Sequence, residues 1–121
     1  MNPAMRQAYD MELDAARAAT TAGRVDVAFH HLERAHVLAQ RWTFEHVETH
    51  WLMLRLGAAT GAWHEVIGQV KRILAAAVFS RIWVPIGNTG RAHVGATRPM
   101  PVPADLHDVL AQDRSGRAPW R

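Results

Sequence analysis

The sequence predicts an all-α protein built from antiparallel helical hairpins. Apolar residues make up 49% of the 121 residues, alanine is abundant, and aromatic residues other than tryptophan are few. This composition favours closely packed helices over sheets. Apolar residues also recur at i, i+3 and i+4 spacing in successive segments, as they do along the buried face of a helix. A chain of this length suits a single domain with one shared core.

Turn signals divide the first part of the chain into four predicted helices. The first covers residues 3–22, with a proline in its first turn and Gly23 after its end. The second runs from about Asp26, a suitable N-cap, to near residue 41. The third covers residues 43–61, and the fourth covers residues 63–79. The fourth helix is expected to direct five aliphatic side chains inward: Val66, Ile67, Val70, Ile73 and Leu74.

A weak internal repeat relates the second and fourth helices at an offset of 38 residues. In each segment a turn glycine is followed by five apolar residues at the same spacing. They are Gly23, Val25, Ala28, Phe29, Leu32 and Ala35 in the first segment, and Gly61, Trp63, Val66, Ile67, Val70 and Ile73 in the second. This pattern around a glycine turn is similar to that of tetratricopeptide hairpins. Two hairpins are fewer than the usual three repeats of a solenoid, so we expect a compact four-helix arrangement.

The chain changes character after the fourth helix. We assign residues 1–79 to a helical domain and residues 80–121 to an irregular tail of the same domain. The sequence Gly-Asn-Thr-Gly at 87–90 is a candidate tight turn, because glycine and asparagine accept positive φ. Apolar residues in the tail, which a disordered segment does not need, predict that it packs back across the helices. One short helix from about residue 103 and a frayed end complete the tail.

Five of the eight histidines fall between residues 30 and 50, on two consecutive predicted helices. In an antiparallel pair that turns near residue 41, His36 and His46 come to similar heights, and so do His31 and His50. His46 and His50 lie about 40° apart on one helix face, which is the geometry that helical metal sites use. The zincin motif is absent, because Val47 follows His46 where that motif has a glutamate.

Two carboxylates extend this group. Glu33 and His36 form the Glu-x-x-His pair of dimetal carboxylate bundles, although a single pair disfavours a symmetric dimetal site. Glu12 lies in the alanine stripe of the first helix, near the predicted height of Arg34, where an unpaired carboxylate is costly to bury. The predicted ligands are His36, His46, His50, Glu33, Glu12 and His31. Because one ion cannot bind all six, we expect the first three with one carboxylate.

The available ligand atoms restrict the metal. Because the chain has no cysteine, disulfides, thiolate zinc sites and iron–sulfur clusters are excluded. Nitrogen and oxygen ligands suit a divalent transition metal such as iron, zinc, manganese, nickel or cobalt. The leading hypothesis is a small helical protein that binds a transition metal through a histidine and glutamate cluster and acts in metal handling or resistance.

Two other functions stay open at this point. The histidines can instead form a structural polar core in a tetratricopeptide-like interaction module, with Trp42, Trp51 and Trp63 lining a groove for a peptide or a second copy of the chain. A metal-dependent enzyme with Glu12 or Glu33 as its base is the further alternative. No hydrolase, phosphate-loop or dinucleotide motif accompanies it, so a binding protein is favoured over an enzyme.

Charge and hydropathy restrict the partners. The formal net charge is +3, and no acidic residue occurs between residues 66 and 104. A solvated basic edge is the favoured interpretation and nucleic acid is not an expected partner, because no nucleic-acid motif occurs. The N-terminus has no apolar signal region, and no stretch approaches the roughly 18 apolar residues of a membrane span. We therefore expect a cytoplasmic protein that does not enter a membrane and binds a metal ion, with a homodimer or a protein partner as a further expectation.

Three ordered motifs are similar to those of a bacterial family of unknown function, DUF3703. They are HLERAHVLAQ at 31–40, HVETHWLML at 46–54, and GNTG at 87–90 followed by RPMPVPADL at 98–106. The resemblance covers nearly the whole chain. It implies that the histidine motifs and the glycine-bounded tail belong to one unit, and it implies no function.

Overall fold

Helices account for all of the regular structure in the computed structural model, which describes residues 1–79, 87–95 and 98–114. The elements are α1 (Pro3–Thr21), α2 (Val25–Ala39), α3 (Thr43–Ala59), α4 (Trp63–Phe79), a 3-10 turn (Ala104–Leu106) and α5 (His107–Arg114). The first four helices form two hairpins, α1 with α2 and α3 with α4, and α2 packs against α3. The predicted all-α class is confirmed.

The ends of the helices follow from a few local residues. The side chain of Asn2 caps α1 by accepting a hydrogen bond of 2.8 Å from the backbone N–H of Met5. Both hairpin turns contain a glycine in the left-handed region, Gly23 with φ of 70° and Gly61 with φ of 74°. The prediction of Asp26 as the N-cap of α2 is wrong. Arg24 occupies that position, and Asp26 lies in the first turn, where a negative charge is favourable.

The hydrophobic core lies mainly in the first hairpin, where α1 and α2 bury their apolar faces against each other. Its largest members in this hairpin are Met5, Tyr9, Leu13, Phe29, Leu32, Val37 and Leu38, and Met53 and Leu56 of α3 belong to the same core. The end of the chain returns to this hairpin: Leu106 is buried in the same core, and the backbone N–H of Asn2 donates to Asp113 on α5. Residues 87–95 contact the second hairpin, where the backbone N–H of Ala92 donates to Glu65.

The orientation of α4 differs from the prediction. Ile67, Val70 and Leu74 are exposed rather than inward, and the buried side chains of α4 include Glu65 and Gln69. The reason is the polar interior of the second hairpin. A buried polar group without a partner costs more than an exposed aliphatic side chain, so α4 directs the side chains that can pair toward the interior.

Within the described ranges, no helix is both long and apolar enough to cross a membrane.

Candidate metal centre

Three buried histidines from α2 and α3 meet at one point. His36 lies near the end of α2, and His46 and His50 lie one turn apart on α3. The Nε2 atom of His36 is 2.9 Å from Nε2 of His46 and 3.3 Å from Nε2 of His50. Among the residues that the structure describes, these three form the one group of three or more histidine or acidic side chains whose ligand atoms all lie within 4.8 Å of one another.

The outer nitrogen of each ring faces an oxygen. Nδ1 of His36 lies 2.8 Å from the carbonyl oxygen of Asn88, and Nδ1 of His50 lies 2.6 Å from Oε1 of Gln69. The ring of His46 is hydrogen-bonded to the backbone of Gln40, and Nδ1 makes this bond because Nε2 faces His36. A carbonyl oxygen accepts only from N–H, so each neutral imidazole has its proton on Nδ1. The three Nε2 lone pairs therefore point toward one another.

Gln69 fixes the orientation of His50. Its amide Nε2 donates to Oε1 of Glu65 at 2.6 Å and to the carbonyl oxygen of Gly90 at 2.9 Å. The amide oxygen must therefore face His50, which excludes the flipped amide. The result is a carboxylate–amide–imidazole chain that fixes the orientation of the His50 ring through its Nδ1 atom, as hydrogen-bond acceptors do for metal-binding histidines.

Glu65 at the end of this chain is ionised and fully paired. Oε1 also accepts from the backbone N–H of Ala92 at 3.0 Å, and Oε2 accepts from Nε of Arg91 at 3.0 Å. Burial raises the pKa of Glu65, but the hydrogen bonds from Gln69, Ala92 and Arg91 outweigh burial and leave the pKa below its usual value. Glu65 therefore supports the site electrostatically without contacting the three Nε2 atoms.

The three imidazoles are neutral at pH 7. Burial lowers the pKa of His46 to about 4. Burial and the neighbouring His46 lower the pKa of His50 to about 3, and burial together with His50 and His46 holds the pKa of His36 well below its usual value. Neutral imidazole is the form that binds a metal ion, so no proton has to leave before an ion enters at neutral pH.

The Gly-Asn-Thr-Gly loop covers the cluster. Its backbone is tied to the end of α2 by Gln40, whose amide donates to the carbonyl oxygen of Asn88 at 3.0 Å and accepts from the N–H of Gly87 at 3.1 Å. The side chain of Asn88 holds the loop together by donating to the carbonyl oxygens of Gly95 and Arg98 at 2.9 and 2.7 Å. The predicted tight turn thus becomes part of the wall of the site.

The two glycines of the loop are required by its geometry. Gly87 and Gly90 have φ of 77° and 78°, the left-handed conformation that side chains disfavour. A Cβ atom on Gly90 would also lie 2.8 Å from Nε2 and Cδ2 of His36, which is closer than van der Waals contact. Gly90 therefore lets the loop backbone lie directly on the His36 ring.

The other three predicted ligands make separate polar contacts. Glu12 accepts from Nδ1 of His31 at 2.8 Å and from Nε of Arg34 at 2.7 Å, and Glu33 accepts from Arg91 at 3.0 Å. The predicted proximity of Glu12 to Arg34 is therefore observed. A carboxylate beside a guanidinium gains a charge-assisted hydrogen bond, which satisfies it without a metal. Glu12, Glu33 and His31 do not belong to the group of three imidazoles.

Sequence reasoning missed four residues that hold the histidines: Gln40, Glu65, Gln69 and Asn88. The available signal was a pair of polar residues, Glu65 and Gln69, that lie four apart in α4. That spacing places both on one face, and an inward polar face on α4 would have indicated partners among the histidines. Asn88 lies in the predicted Gly-Asn-Thr-Gly turn, and that motif predicts its backbone conformation but not its contact with His36.

The fold and the site define a class of protein: an all-helical domain of two hairpins with a buried trihistidine cluster covered by a glycine-bounded loop. The chain belongs to the family described as "Protein of unknown function (DUF3703)", whose family model matches residues 3–110. That span includes the three histidines and the whole covering loop. No curated protein and no solved structure shows a significant match to the chain.

Proposed function

We propose that this protein binds one divalent transition metal ion through the Nε2 atoms of His36, His46 and His50. The observation that carries the proposal is the convergence of three unprotonated nitrogens in a buried space. Three lone pairs that face one another repel, and a cation at their centre converts that repulsion into three bonds. The described residues offer no other group that serves all three nitrogens.

The geometry of the cluster suits such an ion. Ligand nitrogens about 2.0–2.1 Å from a tetrahedral ion are roughly 3.3 Å apart. The distances from His36 to His50 and to His46 are 3.3 and 2.9 Å, so adjustments of a few tenths of an ångström would complete the coordination. A purely structural network fits less well, because an Nε2–H donor would have to give up its Nδ1 hydrogen bond to an oxygen.

The donor set narrows the metal. Three neutral imidazoles without a carboxylate or thiolate favour zinc, cobalt, nickel or iron, whereas manganese prefers oxygen ligands. Three protein ligands leave at least one coordination position for water or a small anion. This position is where the cluster would exchange its ion with a donor or an acceptor.

The surroundings favour metal handling over catalysis. A metal-assisted hydrolase needs a carboxylate or imidazole base near the bound water. In the described part of the chain, the nearest carboxylate along the hydrogen-bond chain is Glu65, and it is occupied by Gln69, Arg91 and Ala92. A buried cluster with no free base suits a protein that holds or transfers an ion, as metal resistance requires.

The test measures the metal content of the wild type and compares it with that of variants at ligand and non-ligand histidines. Untagged protein from metal-supplemented cells should contain about one transition metal ion per cluster by mass spectrometry. His50→Ala should lose the ion, whereas His64→Ala and His93→Ala, at exposed histidines, should retain it. Cobalt(II) added to metal-free wild type should give the visible absorption of a tetrahedral nitrogen site. Metal-free protein whose melting temperature does not respond to zinc, cobalt, nickel or iron would refute the proposal.

A further inference from the structure

A continuous apolar stripe lies on the outside of α4. It consists of Trp63, Ile67, Val70 and Leu74, whose side chains are 64%, 60%, 47% and 68% exposed. At about 100° per residue these four positions fall within about 60° of one another, at spacings of four, three and four residues. This is the spacing by which one helix packs along another, and it runs for roughly 16 Å of α4.

The repeat in the fold shows what normally covers this face. Gly23 and Gly61 occupy equivalent hairpin turns 38 residues apart, both with positive φ. The α4 stripe is therefore equivalent to positions 25, 29, 32 and 36 of α2. In α2 these positions are covered: His36 contacts the histidines of α3, and Leu32 lies in a cleft with Leu52 and Leu56 of α3. On α2 these positions face the following hairpin, whereas on α4 no element among the described residues covers the equivalent positions.

The remaining faces of α4 are already occupied. Glu65 and Gln69 point to the interior, the backbone of Gly68 lies against Ala92, and Arg72 donates to the carbonyl oxygen of Val94. The last helix does not cover the stripe, because α5 packs against α1 at the opposite end of the hairpin stack.

We infer that a second copy of this chain covers the stripe, with α4 packed antiparallel on α4 of the partner about a two-fold axis. A head-to-tail stack would instead place α1 on α4. The packing of α5 on α1 disfavours that arrangement, because α5 already occupies part of the surface of α1 that the stack would need. A two-fold contact buries apolar surface from both copies and closes the assembly.

The number of hairpins supports the same assembly. Stacked helical hairpins usually need three or more units and polar outer faces at both ends. Two copies joined through α4 form a stack of four hairpins, with α1 and the α5 that packs on it at each end. Lys71 and His64, which are exposed beside the stripe, would lie at the rim of the contact.

The first test compares two exposed apolar residues on different helices. Ile67→Glu places a charge in the stripe, and Met11→Glu places one on α1 at a side chain of similar exposure, 64% against 60%. Light scattering should give wild type and Met11→Glu twice the chain mass of 13.5 kDa, and Ile67→Glu the single mass. Helical circular dichroism and metal content should be unchanged in both variants, which separates loss of the dimer from loss of folding and from the metal proposal.

The second test uses the absence of cysteine from the chain. Val70 lies near the middle of the stripe, so Val70→Cys should form a disulfide-linked dimer rapidly under mild oxidation, and Met11→Cys should not. A monomeric wild type at all concentrations would overturn the inference. So would a dimer that survives Ile67→Glu, or a monomer that co-purifies in fixed ratio with a different protein.

Discussion

The interiors of the two hairpins differ in the kind of side chain that predominates. The first hairpin packs Met5, Tyr9, Leu13, Phe29 and Leu38 into an apolar core. The second turns polar groups inward, namely His46, Thr49, His50, Glu65 and Gln69. The outer surfaces show the reverse pattern, because six of the eight large exposed hydrophobic residues in the described part of the chain lie on the second hairpin. A helix has a limited number of faces, so α3 and α4 expose the apolar side chains that their polar interior excludes.

The difference shows how the two halves contribute to stability. Burial of apolar area stabilises the first hairpin, and this contribution is indifferent to protonation and to metal. The second hairpin depends on a hydrogen-bond network in which the loss of one member leaves others buried and unpaired. Substitutions in the second hairpin should therefore change how stability depends on pH and metal, whereas substitutions in the first hairpin should not.

The largest expected effect is the loss of stability of the metal-free protein as pH falls. The folded-state pKa values of His46 and His50 are about 4 and 3, below the unfolded value of about 6.5. The unfolded chain therefore binds more protons below pH 6.5, and the free energy of unfolding falls as pH falls toward 4. The slope is at most about 1.4 kcal/mol per pH unit for each histidine. Urea titrations from pH 8 to pH 4 measure it.

The control for this pH dependence is the double variant His46→Gln and His50→Gln, which removes two of the titrating groups. Its stability should fall much less steeply between pH 6.5 and pH 4. Equal slopes in the variant and the wild type would mean that the cluster is not the source of acid sensitivity.

The next largest effect is a loss of stability from a cavity created in the first hairpin. Leu38 is 2% exposed in the apolar core, and Leu38→Ala should lower the free energy of unfolding by about 2–5 kcal/mol. Because Leu38 is not a ligand, the loss should be the same with and without bound zinc at saturating concentration. Urea denaturation in both conditions measures it, and a loss that depends on zinc would contradict the separation of the two hairpins.

A smaller effect on stability is expected from the support of His50. Gln69→Leu keeps the size of the side chain but leaves the Nδ1–H of His50 without its acceptor, at a cost of about 1–3 kcal/mol. Metal affinity should fall roughly 10–100-fold, because the ring is no longer held in place. Competition with a chelator measures the affinity. Gln7→Leu, at an exposed glutamine of α1, should change neither quantity.

Much of the fold could be predicted because local signals determine it. The glycine turns at 23 and 61 and the apolar periodicity located α1 to α4 within a few residues. Apolar periodicity alone gave the wrong rotation of α4, since apolar residues occur around most of its circumference, and the one local signal for the buried face was the spacing of Glu65 and Gln69. The contacts that select the buried face come from Gly90 and Ala92, more than 20 residues away in sequence, and their positions depend on the tail.

The candidate site shows the same division. Helical spacing and the position of the turn predict that His36, His46 and His50 lie close together. This could be predicted because the spacing and the turn both depend on residues close together in the sequence. Spacing also placed Glu12 beside Arg34, but it could not show that Arg34 and His31 would satisfy that carboxylate. Whether the Glu12 carboxylate pairs with an arginine or with an ion depends on how far side chains extend between neighbouring helices.

The contact of Gly90 with the His36 ring has a consequence for kinetics. The three histidines are 2–7% exposed, and the loop backbone lies on one of them, so movement of the loop would open a path from solvent to the nitrogens. The rate at which a bound ion leaves would then equal the rate of loop opening, and adding more chelator would not increase it. The hydrogen bonds of Gln40 and Asn88 would set the residence time of the ion separately from the strength of its bonds to the ligands.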